Sequence, residues 1–202
     1  PAIVVNGDDS WNNFLELTRH LHKLGTISKH YDEYITVAKD GLEVVEKLDL
    51  LYKEQSHEPH QEPDIIDAGV IYNENDFKRP DENICVFCSA SIKKDEYIEE
   101  GYKLGLELAK RKMGCISGAG KTGIMGSVVK GSSENGGWCG GSNVPHIIKM
   151  EGLPDGLSEF WPRSDIYTRM EVMIDKSDGF IIMPGGMGTI QELMALLLLK
   201  NQ

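Results

Sequence analysis

A glycine-rich loop in the C-terminal part of the sequence carries the residues best suited to chemistry. Residues 184–189 read PGGMGT, between a short apolar segment and a helical pattern that places Glu192 in its first turn. Glycines allow the backbone to approach a bound group closely, and the Thr189 hydroxyl can donate to a phosphate. At the carboxyl end of an open α/β sheet, Glu192 would line the ligand cleft. The same glutamate can instead merely complement the helix dipole, so taken alone it leaves both roles open.

A second glycine-rich loop, residues 118–123 (GAGKTG), follows an earlier apolar segment and opens another helical pattern. It satisfies GxGxxG, the fingerprint of dinucleotide-binding folds, and its N–H groups and helix dipole can face a phosphate. The acidic residue that this fingerprint needs roughly 20 positions later has no convincing candidate. A P-loop is discounted, because that motif needs a glycine where Cys115 stands. The alternative explanation is a tight strand-to-helix turn with close packing.

Both loops lie in a segment with the periodicity of an α/β fold. Short apolar strands alternate with helices, which is typical of a parallel sheet covered on both faces. The predicted strands are residues 84–87, 115–116, 144–148 and 179–183, and the predicted helices are residues 93–112, 124–133, 165–176 and 189–200. The pattern stops within the last helix, where a doubly wound domain ordinarily continues. We expect either a truncated copy or a domain that lacks those last elements.

The first sixty residues are expected to be helical. Asp9 or Ser10 can cap an amphipathic helix that stops at Gly25, and a second helix follows with apolar positions from Tyr31 to Leu51. The next residues are polar and broken by prolines, as in a linker. The predicted organisation is a helical N-terminal segment with its linker over residues 1–64, followed by a nucleotide-binding α/β domain over residues 65–202.

Composition argues against several classes of function. With 21 Lys and Arg against 32 Asp and Glu, the net charge of −11 argues against nucleic acid as a partner. No apolar run approaches the roughly 18 residues of a membrane span, and the N-terminus has no signal pattern. Four cysteines in 202 residues suit reduced thiols rather than a disulfide framework. We therefore expect a cytoplasmic protein without a membrane segment.

No metal site or cofactor is predicted. Cys85 and Cys88 form CxxC, but residues three apart on a strand point to opposite faces and cannot chelate one ion. His57 and His60 lie in the linker, where they are expected only to be hydrated. No lysine lies in a context that argues for the Schiff base of a pyridoxal phosphate enzyme.

Several blocks of the sequence resemble one family in order and spacing. Residues 184–192, PGGMGTIQE, match the PGGxGTxxE signature of the LONELY GUY (LOG) family, cytokinin riboside monophosphate phosphoribohydrolases long filed as lysine decarboxylase-like proteins. The further blocks are residues 85–91 (CVFCSAS, resembling VFCGSS), 117–126 (SGAGKTGIMG, resembling GGGxxGLMG), 165–173 (DIYTRMEVM, resembling the family's arginine helix) and 177–186 (SDGFIIMPGG). The resemblance covers residues 83–200, and the preceding segment resembles, in architecture only, the longer bacterial members that hydrolyse purine and pyrimidine monophosphates.

The resemblance implies a fold and an activity. The fold is a Rossmann-like doubly wound parallel sheet with helices on both faces, preceded by the α-helical N-terminal segment. The activity is hydrolysis of the N-glycosidic bond of a nucleoside 5′-monophosphate to free base and ribose 5-phosphate, with Arg169 and Glu192 as catalytic residues. The implied substrate-binding residues are Ser89, Ser91, Gly120, Gly123, Glu151, Gly185, Gly186, Gly188 and Thr189. The resemblance also implies a homodimer or larger homo-oligomer whose cleft is completed between subunits.

The sequence departs from the family pattern near the arginine. Met170 replaces a lysine and Tyr167 a common histidine, while Ala119 and Gln191 replace a glycine and a glutamate. Loss of the lysine is expected to weaken contacts with the phosphate or the base. The alternative function is a non-catalytic nucleotide-binding or cofactor-carrier protein of the same fold, as in molybdenum-cofactor carriers. The arginine helix together with the PGGxGTxxE block favours the enzyme.

Overall fold

The computed structural model of this chain describes residues 2–27, 35–54 and 78–200. The chain divides into two compact units, Pro1–Glu62 and Pro63–Gln202. Among the described residues, no helix is both long enough and apolar enough to cross a membrane.

In its described residues, 2–27 and 35–54, the first unit combines two helices with two short strands. Its elements are β1 (Ala2–Val5), α1 (Asn12–Lys23), β2 (Ile35–Ala38) and α2 (Gly41–Glu54), and the two strands pair in parallel. The predicted second helix is therefore wrong at Ile35 and Ala38, which lie in β2 and not in a helix. Three residues of β1 and three of β2 are β-branched (isoleucine, valine or threonine). Such residues favour an extended, half-buried backbone over a helix.

The C-terminal end of α1 agrees with the prediction, whereas its N-terminal end does not. Gly25 follows the helix with a φ of +72°, a left-handed conformation that suits glycine and agrees with the predicted stop. The start differs, because Trp11 occupies the N-cap position in place of Asp9 or Ser10 and makes no capping hydrogen bond. The predicted linker from residue 55 onward, with both of its histidines, lies outside the described residues.

The second unit is a five-stranded parallel sheet with helices between its strands. Its elements are β3 (Asn83–Phe87), α3 (Asp95–Lys110), β4 (Gly114–Ser117), α4 (Gly123–Ser133), β5 (Cys139–Asn143), α5 (Pro145–Glu151), β6 (Glu159–Pro162), α6 (Ile166–Asp175), β7 (Gly179–Ile182) and α7 (Met187–Lys200). The strand order is β6-β5-β4-β3-β7, with every neighbouring pair parallel. The predicted α/β class with a parallel sheet is confirmed.

Residues of β3 alternate between two apolar layers. Cys85 and Phe87 pack with Val172 and Met173 of α6 on one face of the sheet. The next residues along the strand turn to the other face, where a second cluster contains Val86 and side chains of α3 and α4. The sheet is therefore buried on both faces, as its continuous apolar strands predict.

The structure corrects the sequence prediction between β4 and α6. The predicted strand over residues 144–148 is wrong, since Val144 precedes α5, and Pro145 starts that helix at a position where proline fits. The strand is β5 instead, and neither β5 nor β6 was predicted. A Cβ on Gly140 would lie 2.6 Å from the rings of both Trp138 and Trp161, so packing of these rings requires a glycine in the strand.

From β3 the chain continues to β4, β5 and β6 on one side, and it then returns to form β7 on the other side of β3. The strand order therefore reverses between β3 and β7. At such a switch point the loops at the carboxyl ends of the two strands separate and leave a crevice. Here the two strand ends are also tied together, because the Met183 N–H donates to the Phe87 carbonyl (2.9 Å) and the Ser89 N–H donates to the Pro184 carbonyl (3.1 Å). The carboxyl end of the sheet at this switch point, where the PGGMGT loop follows β7, is called the crevice.

Candidate active site

An arginine and a glutamate meet beside the crevice. Arg169 is in α6, whose start is fixed by Asp165: one carboxylate oxygen accepts from the N–H groups of Tyr167 (2.8 Å) and Thr168 (3.0 Å). Glu192 is in the second turn of α7, which begins at Met187 rather than at the predicted Thr189. The Arg169 Nη1 lies 3.4 Å from the Glu192 Oε1, and the two side chains are only 14% and 8% exposed. The structure therefore brings together the two residues predicted to be catalytic.

Backbone carbonyls hold the guanidinium from two further sides. Arg169 Nε donates to the Ser142 carbonyl at 3.0 Å, at the end of β5, and Nη2 donates to the Gly118 carbonyl at 3.3 Å, just beyond β4. Together with Glu192, these acceptors occupy donors on three nitrogens of the planar fork. Neither carbonyl is predictable from the sequence, because a backbone acceptor has no residue-type signature.

Burial changes the acidity of the glutamate. Removal from water raises the pKa of Glu192 to about 7, against the opposing pull of Arg169, which lowers it. A carboxyl group with such a pKa exists in both protonation states near neutral pH, which is the condition for general acid–base work. A buried, perturbed acid in a crevice is also a recognised mark of a functional site.

The PGGMGT loop forms the start of α7. Thr189 is buried, and its side chain packs where a Cβ on Gly185 would otherwise lie. Gly186 accepts the N–H of Ile190, and around Gly188 nothing lies within 4 Å of a Cβ position. The loop thus combines an open glycine with a helix N-terminus, an arrangement that suits an anion.

The other glycine-rich loop is largely tied to the protein itself. Gly123 has a φ of +63°, and a Cβ there would lie 2.6 Å from the backbone of Ala90. Thr122 Oγ1 donates to the Ala90 carbonyl at 2.6 Å, and the Gly120 N–H donates to the Met125 sulfur at 3.0 Å. Close packing, the alternative that the sequence left open, accounts for glycine at position 123. Phosphate binding by these residues stays a prediction.

The remaining predicted binding residues border these loops. Ser89 is buried, and its Oγ accepts from the N–H groups of Ser91 (3.0 Å) and Ile92 (3.2 Å), so it shapes the turn after β3. Ser91 is exposed. Glu151, the exposed last residue of α5, places Oε2 only 3.1 Å from the position that a Cβ on Gly120 would take.

Cys85 and Cys88 do not lie together as ligands of one ion would. Cys85 and Cys88 lie in different apolar clusters, on opposite faces of the sheet as predicted, and all four cysteines are buried free thiols. Burial raises the pKa of both Cys85 and Cys88 above the ordinary thiol range. Within residues 2–27, 35–54 and 78–200, no three His, Cys, Asp or Glu side chains are grouped to hold a metal ion.

Comparison with known proteins relates the second unit to characterised enzymes. Residues 125–202, which include Arg169 and Glu192, match a family described as possible lysine decarboxylase. Cytokinin riboside 5′-monophosphate phosphoribohydrolase LOG7 of Arabidopsis thaliana is 35% identical over 127 residues, which are 60% of this chain and 54% of that protein. The cytokinin riboside 5′-monophosphate phosphoribohydrolase of Mycobacterium tuberculosis (strain ATCC 25618 / H37Rv) is 32% identical over 114 residues, 56% of this chain and 60% of that protein. The chain spans little more than half the length of these relatives, and its resemblance to the LOG family is confirmed.

Similar solved structures support the fold. The molybdenum cofactor binding protein of Rippkaea orientalis superposes with a TM-score of 0.53 at 19% identity, over 61% of this chain and 74% of that chain. The molybdenum cofactor carrier protein of Chlamydomonas reinhardtii gives a TM-score of 0.52 at 20% identity, over 61% and 73% of the two chains. At this identity the likeness concerns the α/β architecture alone.

Proposed function

From its relationship to the LOG family, we propose that this protein hydrolyses the N-glycosidic bond of a nucleoside 5′-monophosphate, releasing a free base and ribose 5-phosphate. The observation that carries the proposal is the buried Arg169–Glu192 pair beside the crevice, with 3.4 Å between Nη1 and Oε1. Both residues lie within the segment that matches the family.

The chemistry needs a buried carboxylate. Cleavage of a glycosidic bond passes through an oxocarbenium-like sugar, whose positive charge a nearby carboxylate stabilises. Glu192 in its ionised form also orients water and accepts its proton as hydroxide is delivered to C1′. The departing base keeps the electron pair of the glycosidic bond and takes up a proton from solvent, and Glu192 afterwards returns its proton to solvent. Arg169 favours the ionised form of Glu192 and fixes its position.

The phosphate of the substrate would lie on the PGGMGT loop. Gly185, Gly186 and Gly188 leave the backbone accessible at the N-terminus of α7, where N–H groups and the helix dipole favour an anion. The turn formed by Ser89 and Ser91 is joined to this loop through the hydrogen bond from Ser89 to Pro184, and it supplies the opposite wall.

Residues of the GAGKTG loop and the last residue of α5, all in the second unit, complete the proposed binding site. We expect Gly120, Gly123 and Glu151 to form one side of the binding site, with the carboxylate of Glu151 accepting hydrogen bonds from hydroxyls of the sugar; its Oε2 lies 3.1 Å from the position of a Cβ on Gly120. Met170, next to Arg169, stands where the family pattern has a lysine. The base preference therefore has to be measured on this protein directly.

We further propose a cytoplasmic homodimer or larger homo-oligomer. The apolar side chains that α7 leaves exposed support self-association, since surface rows of this kind mark contact surfaces. They are Met187, Met194, Leu197, Leu198 and Leu199.

Release of ribose 5-phosphate from AMP, GMP, IMP, CMP and UMP tests the function. We expect release from at least one nucleotide, and no release of free base from the matching nucleosides, because they lack the phosphate that positions the sugar. A matched preparation of Glu192→Gln controls for contaminating nucleosidases. Nucleotide binding by calorimetry without any release would contradict the hydrolase and favour the carrier alternative.

A further inference from the structure

We propose that Gly118 is a positioning residue for this hydrolysis, because its missing side chain leaves the space in which the Arg169 guanidinium docks. The activity readout of this inference rests on the proposed function, whereas its geometry does not. The glycine is part of the GxGxxG pattern, where a bound phosphate is the usual explanation.

The contact itself is steric. A Cβ added to Gly118 would overlap Nη2 of Arg169 and lie 3.1 Å from its Cζ, closer than side-chain carbons ordinarily approach. The carbonyl of the same residue accepts the hydrogen bond from Nη2 at 3.3 Å. Gly118 therefore supplies both an acceptor and the space in front of it.

Movement of one end of the guanidinium moves the other. The group is planar and rigid, so displacement of Nη2 tilts Nε away from the Ser142 carbonyl and Nη1 away from Glu192. The Nη1–Oε1 distance is already 3.4 Å, which is long for a charge-assisted bond. A small tilt is enough to separate the pair.

The backbone gives no other reason for glycine at this position. Gly118 is not among the residues with positive φ, so an alanine causes no conformational strain there. Its obstacle is the far end of a long, flexible side chain rather than fixed backbone. We therefore expect Gly118→Ala to fold and to displace Arg169, in contrast to Gly123, whose neighbours are backbone atoms.

The first experiment compares Gly118→Ala, Arg169→Ala and the double variant by kcat/KM and thermal stability. Misplacement by about 1 Å can cost on the order of 100-fold in rate, so we expect a loss of that size with little change in melting temperature. If Gly118 acts through Arg169, the double variant is no slower than Arg169→Ala alone. Gly41→Ala, where nothing lies within 4 Å of the new Cβ, is the matched control.

The second experiment does not depend on turnover. The Glu192 carboxyl is titrated by carbon NMR in the wild type and in Gly118→Ala. Since Arg169 lowers the pKa of Glu192, displacement of the guanidinium raises that pKa further. Losses that multiply in the double variant, or an unchanged Glu192 titration, would overturn the inference. A wild-type protein without turnover contradicts the proposed function, while the titration still decides the role of Gly118.

Discussion

Arg169 and Glu192 face each other beside the crevice, although they are 23 residues apart in the sequence. Their 3.4 Å separation is longer than the roughly 2.7–2.9 Å of a tight charge-assisted hydrogen bond. The glutamate is therefore only partly compensated for its loss of water, and burial outweighs the arginine in setting its pKa. The pair combines a fixed cation with an acid that titrates near neutrality.

Replacement of the glutamate separates catalysis from binding. We expect Glu192→Gln to lower kcat by a factor of about 100 or more, the usual contribution of general acid–base groups, while the affinity for nucleotide changes little. Steady-state release of ribose 5-phosphate and calorimetric binding measure the two effects. Glu171→Gln, on the exposed side of α6, is the control. Undiminished hydrolysis by Glu192→Gln would show that the assigned mechanism is wrong.

The pH dependence of turnover follows from the same group. Because the ionised carboxyl is the active form in the proposed mechanism, kcat/KM should rise with pH and level off above a pKa of about 7. Substrate phosphate titrates near pH 6, so binding of ribose 5-phosphate over the same range corrects for its ionisation. A corrected profile that falls with rising pH would instead assign Glu192 as the acid that protonates the base.

Stability should depend on pH through Glu192. The group holds its proton more tightly in the folded chain, with a pKa of about 7, than at its ordinary value of 4.5. The free energy of unfolding therefore falls as pH rises through this window, by about 3 kcal/mol in total. Glu192→Gln should lose this dependence and exceed the wild type in stability at pH 8, but not at pH 4. Urea unfolding across this range measures the difference, and a pH-independent difference would contradict the assignment.

A positive charge at position 169 should not by itself be enough for activity. Lysine lacks the planar fork that reaches the Ser142 carbonyl, the Gly118 carbonyl and Glu192 together. We expect Arg169→Lys to lower kcat/KM on the order of 100-fold. Arg163→Lys, at the end of β6, should retain wild-type activity. Equal kinetics for Arg169→Lys and wild type would mean that only the positive charge matters.

The sequence predicted those parts of the fold where residue type determines structure. Strands β3 and β7 are short apolar runs, and the glycine loop after β7 leads into its helix as expected. β5 escaped prediction because CGGSN has no apolar pattern, and Gly140 within it is required by the rings of Trp138 and of Trp161, the latter on the next strand. Long-range packing of this kind leaves no local signal.

The side chains of the candidate site were predictable from the sequence, whereas its backbone contacts were not. The resemblance identified Arg169 and Glu192, and the structure places them together. The carbonyls that orient the arginine, and the occupation of the Gly120 N–H by Met125, required the folded chain. Such contacts depend on backbone positions from separate strands, which residue spacing does not encode.

Two substitutions in α3 test how closely α3 packs on α4, since two glycines of α3 lie at different distances from α4. A Cβ on Gly105 would overlap the Val128 carbonyl oxygen and lie 2.7 Å from the Ser132 nitrogen, whereas a Cβ on Gly101 would lie 3.1 Å from both the side chain and the carbonyl oxygen of Ile124. Relief of the overlap at Gly105 requires the two helix backbones to move apart, but a shift of a few tenths of an ångström relieves the contacts at Gly101. The consequence is a large difference between two substitutions of the same type in one helix.

We expect Gly105→Ala to lower the free energy of unfolding by about 1–3 kcal/mol, as overpacked cores do, despite the roughly 1 kcal/mol by which alanine favours a helix. Gly101→Ala should remain within about 1 kcal/mol of the wild type, because the gain in helix propensity offsets the smaller clash. Urea unfolding followed by far-ultraviolet circular dichroism measures both variants. Equal stability of the two variants would mean that α3 and α4 separate easily, in conflict with the close contact of their backbones at Gly105.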